Sequence, residues 1–373
     1  SAAAATGVLQ PGMRFTWYGS SASIPGESQQ LEPDSNGEWV NQATGQRYGQ
    51  FDTPGPAGAG LAVLDVLAAG PEGFLLNLSQ LLIHTDAGNA TSFIDSNGLT
   101  SGTDGIGDFW VSPARLAALT DTDIGGSRVL HMPYALAGRN YRAVRLQVQG
   151  GGGWSQTTFD LDTGLAIVSS STAQSGPVLI RDPNNQLAQG AGNTLMTYGQ
   201  FAGSRQTNLP GKGSTYPDAI RGLRSLTYSG TRGIVISGSD MQMPPSPIEL
   251  RYDVSSNPGP YLTARLSMSS FMGLPATAAD RLVPAGTVGS LWMSPNDLAG
   301  YRQGELVDQD PISGVQVMAM GRLDNLAVLS ARTSLTQYSA GYDLRSGLLT
   351  RADLRQQVGP ATDILAVQLM GTQ

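Results

Sequence analysis

Few side chains in this sequence stand in patterns that could move protons, attack a substrate or hold a metal. There are two histidines, His84 and His131, and no cysteine, which excludes disulfides, thiolate metal sites and thiol nucleophiles. His84-Thr-Asp86 closes an apolar run and His131 lies in Val129-Leu-His-Met-Pro. Neither recurs at its equivalent place in the other half of the chain, so both read as structural or surface residues. The best carboxylate pairs are Asp121-Thr-Asp123 and Asp308-Gln-Asp310. Alternating acids in a Gly-containing loop can supply oxygen ligands to Ca²⁺. These four aspartates are therefore the expected ligands of a structural calcium, and no other cofactor is expected. Neither segment has the twelve-residue calcium loop with its closing Glu, and turn capping by aspartate is the plainer reading.

Sugar hydrolysis would need two carboxyls about 5–10 Å apart. The chain has six glutamates, Glu27, Glu32, Glu38, Glu72, Glu249 and Glu305. Of these, Glu249 sits in an alternating strand pattern, Ile248-Glu-Leu-Arg251, where pairing with Arg251 on the same face is expected. Gly211-Lys-Gly lacks the first glycine and the hydroxyl of a phosphate loop, and no Gly-x-Ser-x-Gly or His-Glu-x-x-His segment occurs. No catalytic residue is assigned. Trp17 and Tyr18 are expected in a core. Met241, Met243, Met268, Met272, Met293, Met318 and Met320 read as sheet core, with an adaptable apolar pocket as the alternative.

The composition narrows what could position these residues. With 373 residues the chain can bury cores for two domains. The 29 acidic and 22 basic side chains give a net charge of -7, and only 14% of residues are charged. That balance excludes a basic nucleic-acid binder and a coiled coil. The 48 glycines and 22 prolines disfavour long helices. Lys212 is the only lysine. Low charge with abundant Ser, Thr, Asn, Gln and Gly suits an exported protein of the periplasm or cell surface. Ser1-Ala-Ala-Ala-Ala reads as a mature terminus or an expression scar. The most apolar stretch, Gly60–Ala69, is interrupted by Asp65 and broken by Gly70-Pro71. It is too short for a membrane helix, so no transmembrane segment is expected, while peripheral membrane association stays open.

Self-similarity organises the chain. Gly107-Asp-Phe-Trp110-Val-Ser-Pro113 returns as Gly289-Ser-Leu-Trp292-Met-Ser-Pro295, and Phe159-Asp-Leu-Asp-Thr-Gly-Leu165 as Tyr342-Asp-Leu-Arg-Ser-Gly-Leu348. Phe15-Thr-Trp-Tyr-Gly19 is echoed by Leu195-Met-Thr-Tyr-Gly199, and Asp121–Gly126 by Asp308–Gly314. All of these recur after about 180 residues, too long for a solenoid repeat and suited to two whole domains. The expected division is a first β domain at 8–180, a linker at 181–192 and its duplicate at 193–373.

Strand signals dominate both halves. Arg142–Val148 alternates polar and apolar residues, and Trp154–Asp160, Asp162-Thr-Gly164 and Leu165–Val168 read as a hairpin that recurs around Arg345-Ser-Gly347. Ser112-Pro113 and Ser294-Pro295 each start a short helix. Trp110 and Trp292 are expected to anchor it to the sheet. The fold class is therefore mainly β: two similar domains, each a strongly curved antiparallel sheet, half-barrel or sandwich, with one short helix.

A strand followed by aromatic-Asp-x-x-Thr/Ser-Gly-Leu and a long strand resembles hairpins of exported half-barrel domains such as the periplasmic lipoprotein carriers. The likeness covers about the last 40 residues of each half, at Phe159–Leu165 and Tyr342–Leu348. It implies a curved sheet around an apolar cavity and carries over no functional residue. The expected function is a non-enzymatic exported binding protein that holds an apolar small molecule or the surface of another envelope protein. A structural subunit of a surface assembly and a secreted carbohydrate-active enzyme are the alternatives. Nucleic acid is not an expected partner.

Overall fold

Alternating burial marks the strands. Trp154, Gln156 and Thr158 point inward while Ser155 and Thr157 do not, and Val317 and Ala319 repeat the pattern in the other half of the chain. The computed structural model describes residues 7–25, 31–33, 39–41, 47–48, 58–150, 153–174, 179–181, 187–189, 193–237 and 242–373. Among the readings above, those on Ser1–Ala5, Glu27, Glu38 and Met241 lie outside the described residues.

Two ten-stranded antiparallel sheets contain most of the described chain. The first is built from β1 (Met13–Pro25), β2 (Gly58–Gly70), β3 (Gly73–His84), β4 (Ala90–Ser101), β5 (Thr122–Ile124), β6 (Ser127–Leu136), β7 (Arg139–Gly150), β8 (Gly153–Asp160), β9 (Ala166–Gln174) and β10 (Asn193–Gln206). The second comprises β11 (Ser225–Ile236), β12 (Gln242–Ser256), β13 (Tyr261–Met268), β14 (Thr277–Pro284), β15 (Glu305–Gln309), β16 (Gln316–Leu323), β17 (Leu326–Arg332), β18 (Thr336–Asp343), β19 (Leu349–Val358) and β20 (Ala361–Thr372).

The strand orders are β5-β6-β7-β8-β9-β10-β1-β2-β3-β4 and β15-β16-β17-β18-β19-β20-β11-β12-β13-β14. Every strand of the first sheet has its counterpart ten strands later, so one topology is built twice. The expected linker at 181–192 precedes β10, the last strand of the first sheet. Within it, 182–186 and 190–192 lie outside the described residues, while Leu187–Gln189 pairs with Leu179–Arg181. The echo between Phe15–Gly19 and Leu195–Gly199 has a different meaning from the expected one. These segments belong to β1 and β10, which are neighbours in one sheet. The counterpart of β1 is β11, where Leu226-Thr-Tyr-Ser-Gly230 supplies the matching aromatic-rich run.

Three short helices occur among the described residues, α1 (Pro113–Ala117), α2 (Asp218–Arg221) and α3 (Pro295–Gly300). α1 and α3 are the expected pair, each with Pro at its start; the Ser112 hydroxyl accepts the Arg115 N–H at 3.3 Å, whereas Ser294 makes no such bond. No helix among the described residues is long and apolar enough to cross a membrane.

The tryptophan ahead of each of these two helices ties into the following hairpin. Trp110 Nε1 donates to the Thr163 carbonyl at 2.9 Å, and Trp292 Nε1 to the Ser346 carbonyl at 2.8 Å. Both rings are buried. The next residues add backbone bonds, Val111 N–H to Gly164 O and Met293 N–H to Gly347 O. Both glycines have left-handed φ, +79° and +75°, and a Cβ on either would strike a carbonyl oxygen at 2.1 Å. The turn thus demands glycine twice over.

The chain divides into two compact units: 1–8, 16–62 and 101–203 in one, and 9–15, 63–100 and 204–373 in the other. The first unit has a cluster of Leu116, Val144, Phe159 and Ala166, and another of Tyr134, Ala143, Ile167, Val168 and Tyr198. Trp17 also lies here, its Nε1 donating to the Ala166 carbonyl at 2.9 Å and its ring against Phe109 and Phe201. The second unit has one large core, with Tyr216, Tyr228, Leu291, Trp292, Met293 and Tyr342 at its centre.

Candidate functional site

A cluster of five ionisable side chains lies inside the second unit, among strands drawn from distant parts of the sequence. Arg14 comes from β1, Asp65 from β2, Arg205 from β10, Asp308 from β15 and Asp310 from the turn that follows β15. Arg14 grips Asp65 with two bonds, Nε to Oδ1 at 2.7 Å and Nη2 to Oδ2 at 2.9 Å. Its Nη1 reaches Asp310 Oδ2 at 3.3 Å. Arg205 forks onto Asp308 at 3.0 and 2.5 Å, and its Nε lies 3.4 Å from Asp310 Oδ1. The Asn208 N–H donates to Asp308 and the Ser313 hydroxyl to Asp310.

Two guanidiniums therefore face three carboxylates in a nearly dry setting; the Asp308 and Asp310 side chains are 3% and 1% exposed. Burial alone would raise the pKa of both acids. For Asp308 the Arg205 hydrogen bond and the Asn208 N–H outweigh it, and for Asp310 the Ser313 hydroxyl and Arg14, so both end below the ordinary carboxylate range. Burial likewise opposes the charge on Arg14, yet Asp65 and then Asp310 and Asp308 raise its pKa. Chemically this cluster holds charge still. Bidentate pairs of this kind fix geometry, and a cation entering at Asp308 and Asp310 would have to displace two arginines.

Asp310 also opens a turn that the sequence reading missed. Asp310-Pro-Ile-Ser-Gly-Val315 repeats the bonding of Asp160-Leu-Asp-Thr-Gly-Leu165 and Asp343-Leu-Arg-Ser-Gly-Leu348. In each, the first N–H donates to the last carbonyl at 2.8–2.9 Å, and the aspartate carboxylate accepts the hydroxyl three residues on. The signal was present in the sequence as Asp-x-x-Ser/Thr-Gly followed by an apolar residue. At Asp310, an arginine lattice replaces the tryptophan that braces the other two turns.

Asp121 and Asp123 sit in quite different surroundings, exposed on the edge hairpin of the first unit. Asp123 lies 3.8 Å from Arg128. Asp121 Oδ1 accepts the His131 backbone N–H at 2.9 Å and lies 2.6 Å from its ring Nδ1. These bonds lower the Asp121 pKa, with the ring bond the larger effect. Strand β5 covers only Ser127–Val129 of β6, so the His131 N–H would otherwise point off the sheet edge. Two residues further, on the same side, stands Pro133, which has no N–H to offer. Asp121 and Pro133 thus blunt an exposed strand edge.

The same device recurs in the second unit on β14, the terminal strand of the second sheet. The Leu282 N–H donates to Asn97 Oδ1 at 3.1 Å, and two residues on stands Pro284. Nearby, Arg281 clamps both oxygens of Asp95 at 2.7 and 2.9 Å.

The remaining candidates fall apart as a site. His84 Nε2 bonds the Ser92 hydroxyl at 2.9 Å. Arg251 pairs with Asp253 at 2.7 Å instead of with Glu249, whose N–H donates to the Ser269 hydroxyl. Glu249 and Asp253 both lie two residues from Arg251 on one face of the strand, and the guanidinium meets the second. Met293 is core, but Met272 and Met320 are 44% and 46% exposed. Among the described residues no group of three or more acids or histidines is placed to hold a metal ion.

No family model matches the chain, and no curated protein matches it. Among solved structures, a double mutant of Transferrin Binding Protein B from Haemophilus parasuis Hp5 aligns at 9% identity, over 98% of this chain and 77% of that one, with a TM-score of 0.18. Intact Ap-TbpB, with its N and C lobes, aligns at 8% identity over 98% and 78%, with a TM-score of 0.17. A likeness at that level carries no argument about what this chain does.

Proposed function

We propose that the chain is an exported, non-enzymatic binding protein whose ligand is the surface of another envelope protein. The observation that supports this is an apolar end of the second sheet. Val235 on β11 stands opposite Thr362 on β20, and Val358 on β19 stands opposite the adjacent Ala361. The connection from β13 to β14 reaches the same end, with Phe271 packed over the Arg232 guanidinium at 4.9 Å. Around these positions Val235, Val358, Met272 and Leu274 are 39%, 56%, 44% and 57% exposed. Apolar groups gathered in solvent mark interaction surfaces more often than single exposed residues do. They face outward, which favours a partner surface over an enclosed small molecule.

Native mass spectrometry of the protein isolated from its source cells tests this reading, with a Leu274→Glu, Val358→Glu double variant beside it. A protein subunit retained by the parent and lost from the variant supports it. Equal retention by both, or an apolar small molecule bound in place of a protein, overturns it.

A further inference from the structure

We propose that Thr277–Asp280 of β14 is a strand-accepting edge that takes an extended segment of a partner protein bearing apolar and basic side chains. This deepens the binding function proposed above and rests on it. Strand β14 ends its sheet, with β13 on one side and no hydrogen-bonded strand on the other, where Asn97 and Gly98 of β4 lie against Leu282 and Pro284. The Leu282 N–H is bonded to Asn97 and so points away from β13. The β13–β14 ladder runs from Tyr261↔Pro284 to Met268↔Thr277 without a register shift. By strand alternation, the N–H and C=O groups of Asp280 and Ala278 point outward as Leu282 does.

Asn97 and Pro284 close the C-terminal half of this edge; nothing among the described residues closes the other half. Thr277, Ala278, Ala279 and Asp280 are all exposed. A row of unpaired backbone groups is a template for another strand. On β6 the positions two and four residues before the capped His131 are Val129 and Ser127, and there β5 pairs with them, so the opening at Ala278 and Asp280 is a local feature of β14.

The neighbouring residues define the occupant. The exposed run continues backward from Thr277 through Ala276 and Pro275 to Leu274 and Met272. An incoming strand that pairs with Ala278 and Asp280 would carry apolar side chains past these two. The Asp280 carboxylate is 86% exposed, with Arg265 at 3.6 Å, and the whole chain has a net charge of -7. Like charge disfavours a second copy of this chain and favours a basic segment.

The test is selection of twelve-residue peptides from a random displayed library on the full-length protein, followed by affinity measurements on variants. Ala278→Pro removes one outward donor and no rung of the β13–β14 ladder; Ala278→Ser is its control, and Asp280→Arg reverses the charge. The expected result is enrichment of peptides with alternating apolar and basic residues. Ala278→Pro should weaken them at least tenfold, Asp280→Arg should weaken them too, and Ala278→Ser should leave them bound. Bound peptide should slow amide exchange at 277–280. Absence of enrichment, or peptides held equally by Ala278→Pro and Asp280→Arg, overturns the edge. A parent that sediments as a dimer and an Ala278→Pro variant that sediments as a monomer would make the occupant a second copy and overturn the partner assignment. A native protein subunit retained by Ala278→Pro would remove this edge and leave the binding function standing.

Discussion

Gly347 lies so close to Trp292 that a Cβ on the glycine would sit 2.6 Å from the indole nitrogen. The same relation holds between Gly164 and Trp110, at 2.7 Å. Each hairpin turn is thus braced by a ring that tolerates only glycine beneath it. Gly347→Ala and Gly164→Ala should each destabilise by more than about 1 kcal/mol, because left-handed strain adds to the collision. Trp110→Ala and Trp292→Ala should each cost about 3–5 kcal/mol, through lost burial and an orphaned carbonyl. Urea melts of the four variants decide the matter, and losses near zero would remove both rings from the role of anchor.

The arginine–aspartate lattice predicts an acid-sensitive core. The pKa values of Asp308 and Asp310 are lowered on folding. A lowered carboxylate pKa contributes stability that is present above the unfolded value, about pH 4, and is lost as the pH falls through the folded value. Asp310→Asn should therefore flatten the acid limb of a Tm-versus-pH curve below about pH 4. Arg14→Met, at neutral pH, leaves two buried acids short of their cation and should cost about 3–5 kcal/mol. An Asp310→Asn curve running parallel to the parent's would mean that the lattice holds no acid-labile stability.

Calcium should be a poor ligand at the four paired aspartates. The Asp308 and Asp310 oxygens face Arg205 and Arg14, and Asp121 is bonded to His131. Millimolar Ca²⁺ should leave the Tm unchanged. Asp121→Ala should speed amide exchange at His131 without altering the melt. A calcium-dependent rise in Tm that disappears in Asp121→Ala or Asp310→Asn would reinstate these residues as ligands.

Met272 has a φ of +49° and precedes Gly273 at +81°, a backbone that suits asparagine or glycine better than methionine. Met272→Asn should raise the Tm slightly and weaken attachment of the partner subunit. A variant that gains stability with no loss of partner would take Met272 out of the proposed contact surface.

Much of the architecture was legible because its signals are local. The hairpin around Asp343-Leu-Arg-Ser-Gly-Leu348 announces itself in six residues, and Ser-Pro after a tryptophan marks both α1 and α3. What stayed hidden depends on partners far away in sequence. Asp308-Gln-Asp310 looks like Asp121-Thr-Asp123 on the page, yet the first pair meets Arg14 and Arg205 from other strands while the second meets its own hairpin. Phe15–Gly19 and Leu195–Gly199 look like copies and are in fact neighbours, because adjacent strands of one sheet share an alternation as readily as repeated ones do. The guarded edges were also unreadable in advance. Asn97 and Leu282 come together only when β4 is laid beside β14.

In both sheets the first strand lies beside the last. For the second sheet this means that Ala361–Thr372, the latest of its strands in sequence, fills the sixth of ten places and joins β19 to β11. Gln373 extends this pairing, exchanging backbone bonds with Ser225. Without Ala361–Thr372 the sheet would be two half-sheets with no strand to join them. To close this sheet β11 and β20 must find each other from opposite ends of its sequence, a non-local pairing of the kind that makes folding slow.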